Sequence, residues 1–160
     1  MRLTTLCYLE KDGCYLMLHR TKKKNDGSLG KWIGVGGKME AGESPEECAL
    51  REIWEETGLQ ARHLELRSVI TFISDQWEDE MMYLFSSRDF EGELKECDEG
   101  ELAWIPVEDV EALPSWEGDR IFLRRLRQNE DFYTLKLVYE GEDLRQAILW
   151  EKGEKVVLKG

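Results

Sequence analysis

The stretch GKMEAGESPEECALREIWEETGL, residues 37–59, decides the fold. Within it, Ser44-Pro45-Glu46-Glu47 is a capping box with proline at the first helical position. The serine oxygen and the Glu47 carboxylate can satisfy amides that a helix start leaves free. A helix therefore begins here and stops near Thr57, because Gly58 can take the left-handed cap conformation. Set at 100° intervals, Ala49, Leu50, Ile53, Trp54 and Thr57 fall on one side, and Glu52, Glu55 and Glu56 gather on the other. Like charges three and four residues apart cost roughly 0.2–0.5 kcal/mol per pair. Hard divalent cations such as Mg²⁺ take oxygen ligands and bridge carboxylates to substrate phosphates, which would offset that repulsion. A solvated charged face is the competing reading of the same glutamates.

Just upstream, Gly34-Val35-Gly36-Gly37 lets backbone groups come close to a metal or phosphate, although a flexible loop has the same composition. Leu3 to Leu9 and Cys14 to His19 are apolar runs separated by Glu10-Lys11-Asp12-Gly13, whose Asp-Gly step suits a tight hairpin. Thr21 to Gly30 is a polar, solvated loop whose position keeps Lys22, Lys23 and Lys24 as substrate-contact candidates. Downstream, His63 to Ile73 and Met81 to Ser86 read as strands around an acidic turn, Ser74 to Glu80. Glu101 to Pro106 reads as a strand, Val107 to Leu113 as a helical turn and Asp119 to Arg127 as a helix. Phe132 to Tyr139 and Leu144 to Trp150 form a last strand pair, and residues 151–160 a charged tail.

A chain of 160 residues suffices for one compact domain and is short for two, and no repeat or linker divides it. An apolar content of 41%, with six Trp, excludes a disordered chain. The net charge of −12 repels phosphate backbones, so no nucleic acid polymer is expected as a partner. No apolar run approaches the ~20 residues of a membrane span and no secretion signal opens the chain, so neither membrane nor export is expected and the location reads as cytoplasmic. Cys7, Cys14, Cys48 and Cys97 are scattered without metal-binding spacing and read as reduced thiols. His19 and His63 are given no role.

Gly37, Glu43, Arg51, Glu52, Ile53, Glu55, Glu56, Gly58 and Leu59 fill every fixed position of the pattern G-x5-E-x7-R-E-U-x-E-E-x-G-U, where U is aliphatic. The chain therefore resembles the Nudix hydrolases. That resemblance implies an α/β fold, an α/β/α sandwich with a mixed β-sheet, whose loop-helix-loop segment holds Mg²⁺ or Mn²⁺ against a diphosphate. It further implies that the Gly36 carbonyl, Glu52 and Glu56 ligate metal and that Glu55 assists directly or through water. Arg51 and Glu43 would brace the site, with Gly37 and Gly58 as structural positions. Hydrolysing a diphosphate needs an oriented water and positive charge beside the phosphate oxygens. Glu52 or Glu99 is the candidate general base.

Over most of residues 3–150 the chain is similar to MutT-type nucleoside triphosphatases that clear oxidised purine nucleotides. Gly30-Lys31-Trp32, Gly34 to Lys38, Asp98-Glu99, Trp104 and Pro114 to Asp119 carry that similarity. In that group a Trp stacks on the purine and two acids just after it meet the base edge. Trp116 and Asp119 thereby become base-recognition candidates, with Lys38 as a further substrate contact. Ile33 stands in place of a base-contacting Asn and Gly118 in place of one paired acid, so base recognition does not carry over whole. A packed core aromatic is the competing reading of Trp116, and Phe72, Trp77 and Met81 read as packing residues. The implied reaction is Mg²⁺-dependent conversion of a nucleoside triphosphate, such as 8-oxo-dGTP, to monophosphate and pyrophosphate in nucleotide-pool sanitation. The alternatives are hydrolysis of a dinucleoside polyphosphate or nucleotide sugar, and a nucleotide-sensing module without turnover. The oligomeric state is left open.

Overall fold

Alternation in the first strand decides how the layers stack. In β1 (Arg2–Lys11), Leu6 and Tyr8 are buried on one face, Cys7 and Leu9 on the other. A strand apolar on both faces must be covered on both. The computed structural model, which describes residues 1–22, 27–128 and 131–160, shows that it is. Helix α1 (Pro45–Thr57) packs Ala49 and Ile53 onto Cys7, Leu9, Leu16, Val35 and Phe85. On the opposite face α2 (Asp119–Gln128) packs Phe122, Leu123 and Leu126 into a cluster with Leu6, Tyr8, Met17, Ile70 and Leu84. No helix among the described residues is long and apolar enough to cross a membrane.

The chain turns from β1 into β2 (Cys14–Arg20) through Asp12 and Gly13, both at positive φ, as the Asp-Gly step predicts. Then come β3 (Trp32–Ile33), paired with β2, and β4 (Val35–Lys38), antiparallel to Thr4–Cys7 of β1. After α1 follow β5 (Leu59–Ala61), β6 (Glu65–Ser74), β7 (Glu80–Ser87), β8 (Phe90–Gly92) and β9 (Gly100–Pro106). A 3₁₀ turn (Val110–Ala112) and α2 lead to β10 (Tyr133–Glu140), β11 (Asp143–Glu151) and β12 (Glu154–Lys159). The main sheet runs β12-β11-β10-β6-β7-β1, and β1 passes on to β2 and its neighbours β3 and β9. Pairs β1/β7 and β6/β10 are parallel and the others antiparallel, while β5 and β8 form a separate ribbon. The architecture is an α/β/α sandwich with a mixed sheet.

Three local expectations change. The glycine-rich segment before the helix is strand β4 rather than a loop, because its backbone pairs with β1. Leu50 and Trp54 are exposed at 41% and 51%, whereas Glu56 is buried at 6%. Ala49, Ile53 and Glu56 stand at i, i+4 and i+7, so Glu56 shares the buried line of the helix rather than the solvated one. The charged tail extends the sheet as β12. The predicted cap geometry stands: Ser44 and Glu47 exchange both capping-box hydrogen bonds, and Gly58 closes the helix at φ 79°. Lys23 and Lys24 lie outside the described residues.

Strand β4 lies unusually close to β1, since a Cβ on Gly36 would sit 1.9 Å from the Thr5 carbonyl oxygen. Backbone cannot yield as a flexible side chain can. Gly36→Ala is therefore expected to destabilise the protein by about 2–3 kcal/mol in chemical denaturation.

Candidate active site

Helix α1 presents its carboxylates to β4, and one arginine organises them. The Arg51 guanidinium grips Glu43 in a fork, with Nε to Oε2 at 2.6 Å and Nη2 to Oε1 at 2.9 Å. Its Nη1 reaches Glu52 Oε1 at 2.8 Å and Glu55 Oε2 at 3.2 Å, and Nη2 donates to the Lys38 carbonyl. Arg51 thus ties the segment before the helix to two carboxylates of the helix itself. The Glu43 carboxyl is held down to about 2 by Arg51, with help from the Glu40 N–H.

Glu52 and Glu56 lie against the glycines. A Cβ on Gly37 would stand 2.5 Å from the Glu52 carboxyl carbon, so only a bare Cα admits that carboxylate. Burial raises the Glu52 pKa, while the Arg51 hydrogen bond and charge oppose the rise. Glu56 Oε1 accepts from the Gly36 N–H at 2.9 Å, but its Oε2 is buried with no donor. What faces it is a second carboxyl, Glu99; burial first and then Glu99 push the Glu56 pKa well above the usual carboxylate range. Glu99 in turn is held by Arg20 Nη1 at 2.9 Å. Pairing of Arg20 with Gly100 across β2 and β9 sets that contact.

These groups edge a cavity of about 750 Å³ whose other end is aromatic. Trp116 donates from Nε1 to Ser28 Oγ, stands edge-on to Tyr139 with centroids 5.1 Å apart, and has Lys31 Nζ 4.6 Å over its ring. Phe72 stacks on Tyr139. The Tyr139 hydroxyl accepts from the Gly118 N–H, and a Cβ on Gly118 would lie 2.7 Å from that oxygen and 2.6 Å from Leu137 Cδ1. Position 118 therefore has no room for an acid. Asp119, 4% exposed, also lines the cavity. Burial and the charge of Glu80 push its pKa up to about 8 against the opposing charge of Lys31.

Of the residues singled out in the sequence, Gly36, Gly37, Lys38, Arg51, Glu52, Glu99, Trp116 and Asp119 meet at this cavity. Glu56 stands bonded to Gly36, and Glu55 stays 55% exposed on Arg51. Glu43 and Gly58 lie off the cavity wall, as does Lys22, which is exposed. Phe72 and Trp77 line the cavity rather than serving only as packing, and Met82 does so in place of Met81. Counting by twos from Thr4 and Glu80 finds Leu6 and Met82, but that count needs the strand register, which sequence alone does not supply. His19 stacks on Trp32 and His63 is exposed. All four cysteines are free thiols.

Among the described residues no three His, Cys, Asp or Glu side chains already converge as a ligand set. Arg51 and the Gly36 N–H engage Glu52 and Glu56 instead. The buried Glu56 oxygen that finds no donor among the described residues, beside the Glu99 carboxyl, nevertheless fits a hard cation that takes oxygen ligands.

The family model of the NUDIX domain matches residues 2–126. The chain belongs to the Nudix family. This Nudix hydrolase is 34% identical over 127 residues to "Uncharacterized Nudix hydrolase YvcI" of Bacillus subtilis, covering 74% of this chain and 75% of that one. It is 32% identical over 145 residues to an "Oxidized purine nucleoside triphosphate hydrolase" of Danio rerio, covering 89% and 90%. The crystal structure of a Mutator MutT protein from Bacillus halodurans superposes with TM-score 0.83 at 29% identity, covering 93% of this chain and 97% of that one. The Nudix hydrolase described here is MutT-like in sequence and fold.

The Arg51–Glu43 fork has a pH signature. Glu43 has a folded pKa near 2 against an ordinary 4.5, so its contribution is complete above about pH 4.5 and is lost as pH falls toward 2. Glu43→Gln should be less stable than the parent at pH 6, and the gap should close between pH 4.5 and 2 in denaturant titrations.

Proposed function

We propose that this Nudix hydrolase acts as a single catalytic domain on a purine nucleoside triphosphate, releasing the monophosphate and pyrophosphate. Oxidised purines such as 8-oxo-dGTP would be among its substrates, and nucleotide-pool sanitation its role. The observation that carries this reading is the single cavity whose one end is built from Glu52, Glu99, Gly36 and Arg51 and whose other end is built from Trp116, Phe72, Tyr139 and Asp119. A phosphate chain suits the first end and a flat base the second. The likeness to a relative named for oxidised purine triphosphates supports the same reading.

Glu52, Glu56 and the Gly36 carbonyl would hold Mg²⁺ or Mn²⁺, with Glu55 contributing directly or through water. The cation supplies positive charge for the triphosphate oxygens when bound. Glu99, or Glu52, takes the proton of the attacking water, and Arg20 keeps Glu99 turned toward the cavity. Arg51 braces Glu52 from behind. Lys38 lines the cavity beside the phosphate end, where its charge attracts the substrate. Lys22, exposed and off the wall, contributes at most at the entrance. Trp116 offers its ring to the base and Asp119 meets the base edge.

Purified protein with Mg²⁺ should release pyrophosphate, not phosphate, from canonical and oxidised purine triphosphates. Turnover confined to dinucleoside polyphosphates or nucleotide sugars would overturn the substrate class. Glu56→Gln keeps an acceptor for the Gly36 N–H and cannot ionise beside Glu99. The variant should melt no lower than the parent yet lose metal-dependent hydrolysis by about a thousandfold or more. Trp116→Ala should raise KM about tenfold with kcat little changed. Unchanged kinetics with a lower melting temperature would instead mark Trp116 as a packing residue.

A further inference from the structure

The floor of the cavity is a strip of one sheet face. Register sets Arg2 of β1 and Phe72 of β6 on either side of Glu80 of β7. Alternation brings Thr4, Ser74 and Met82 to the same wall. Sequence reading puts Glu80 in an acidic turn; in the fold it is the first residue of a strand. Its carboxylate is fixed from two sides, with Arg2 Nη2 2.6 Å from Oε1 and Thr4 Oγ1 donating to Oε2 at 2.6 Å. Each oxygen keeps a lone pair for another donor.

Asp119 lies on the same cavity, 4% exposed, and its carboxyl accepts no hydrogen bond from any described residue. Glu80 is the acid whose charge bears on it. A buried carboxyl without a partner beside a fixed carboxylate is a costly arrangement unless a ligand's polar atoms complete it.

We propose that Glu80 is a specificity-determining residue of the base pocket, its carboxylate accepting two adjacent N–H donors from the edge of a purine held against Trp116. This rests on the nucleoside triphosphate reading above and deepens it. A carboxylate binds two-pronged only where two donors stand side by side. Guanine offers N1–H and its 2-amino group. Adenine offers its amino group next to the N1 lone pair, which would face a carboxylate oxygen. Oxidation of adenine at C2 or C8, in the keto form, turns the ring nitrogen beside the amino group into N–H and creates the missing pair. Asp119, which keeps its proton near neutrality, can donate to a base carbonyl. The pocket therefore favours guanine-type and oxidised adenine edges over adenine.

The test compares the parent and Glu80→Gln on dGTP, dATP, 2-oxo-dATP and an abasic deoxyribose triphosphate that gives Glu80 nothing to hold. The glutamine keeps one acceptor, for Arg2, and its amide nitrogen can donate to the Thr4 hydroxyl, so the contacts from below persist while one prong becomes a donor. The parent should prefer dGTP and 2-oxo-dATP to dATP by about tenfold or more in kcat/KM. In Glu80→Gln that ratio should collapse through KM, with abasic turnover retained. A parent inactive on every nucleoside triphosphate overturns the functional reading itself. An active parent without the preference, or a variant that keeps it, overturns only the assignment of Glu80. A variant that loses abasic turnover as well shows a structural role and also overturns the assignment.

Discussion

Strand β4 sits tightly against both β1 and the Glu52 side chain of helix α1 because two of its residues end at Cα. At Gly36 a methyl group would be driven into the Thr5 carbonyl, and at Gly37 into the Glu52 carboxylate. That close approach lets a helix carboxylate take a hydrogen bond from a strand amide, as Glu56 does from the Gly36 N–H. The Arg51 fork depends on it too, since Arg51 spans from Glu43 and the Lys38 carbonyl to the carboxylates of its own helix. A side chain at Gly36 would push β4 off β1, and one at Gly37 would turn the Glu52 carboxylate out of its place beside the strand.

The electrostatics of this wall are unbalanced in a directed way. Arg51 compensates Glu43, Glu52 and Glu55 on the outer side. On the inner side Glu56 and Glu99 face each other, and although Arg20 reaches Glu99, one Glu56 oxygen has no donor. Burial of Glu56 and the neighbouring Glu99 together push the Glu56 pKa well above the usual carboxylate range. The imbalance is local: the chain carries a net charge of −12, yet Arg20, Arg51 and Lys38 line the cavity beside its carboxylates.

How much of this was legible in the sequence differs between fold and site. The capping box, the Gly58 stop and the Asp-Gly hairpin were legible because each acts within a few residues of itself. The spacing of Gly37, Glu43, Arg51, Glu52 and Glu56 marked the helix that carries the acids. Burial of Glu56 instead of Leu50 and Trp54 was not legible, because it depends on which strand the helix rests on. Strand β12 was hidden in a tail whose six residues are all exposed, so no hydrophobic pattern announces it. The cavity floor was hidden for a related reason. Phe72, Glu80 and Thr4 are far apart in the chain and meet only through register between β1, β6 and β7.

The two ends of the cavity are consequently under separate control. The acid end comes from one continuous segment plus Glu99, where spacing is dictated by helix geometry and close backbone contact. The aromatic end is assembled from side chains of β1, β6, β7, β10 and the approach to α2. Tyr139 shows how these contributions constrain one another: its hydroxyl binds the Gly118 amide and fills the space a side chain there would need. Polar groups at this end must then come from neighbouring elements, and Asp119 and Glu80 line the cavity there. Substitution at this end can reshape the aromatic pocket while leaving the carboxylate wall intact, because no hydrogen bond of the Arg51 fork passes through it.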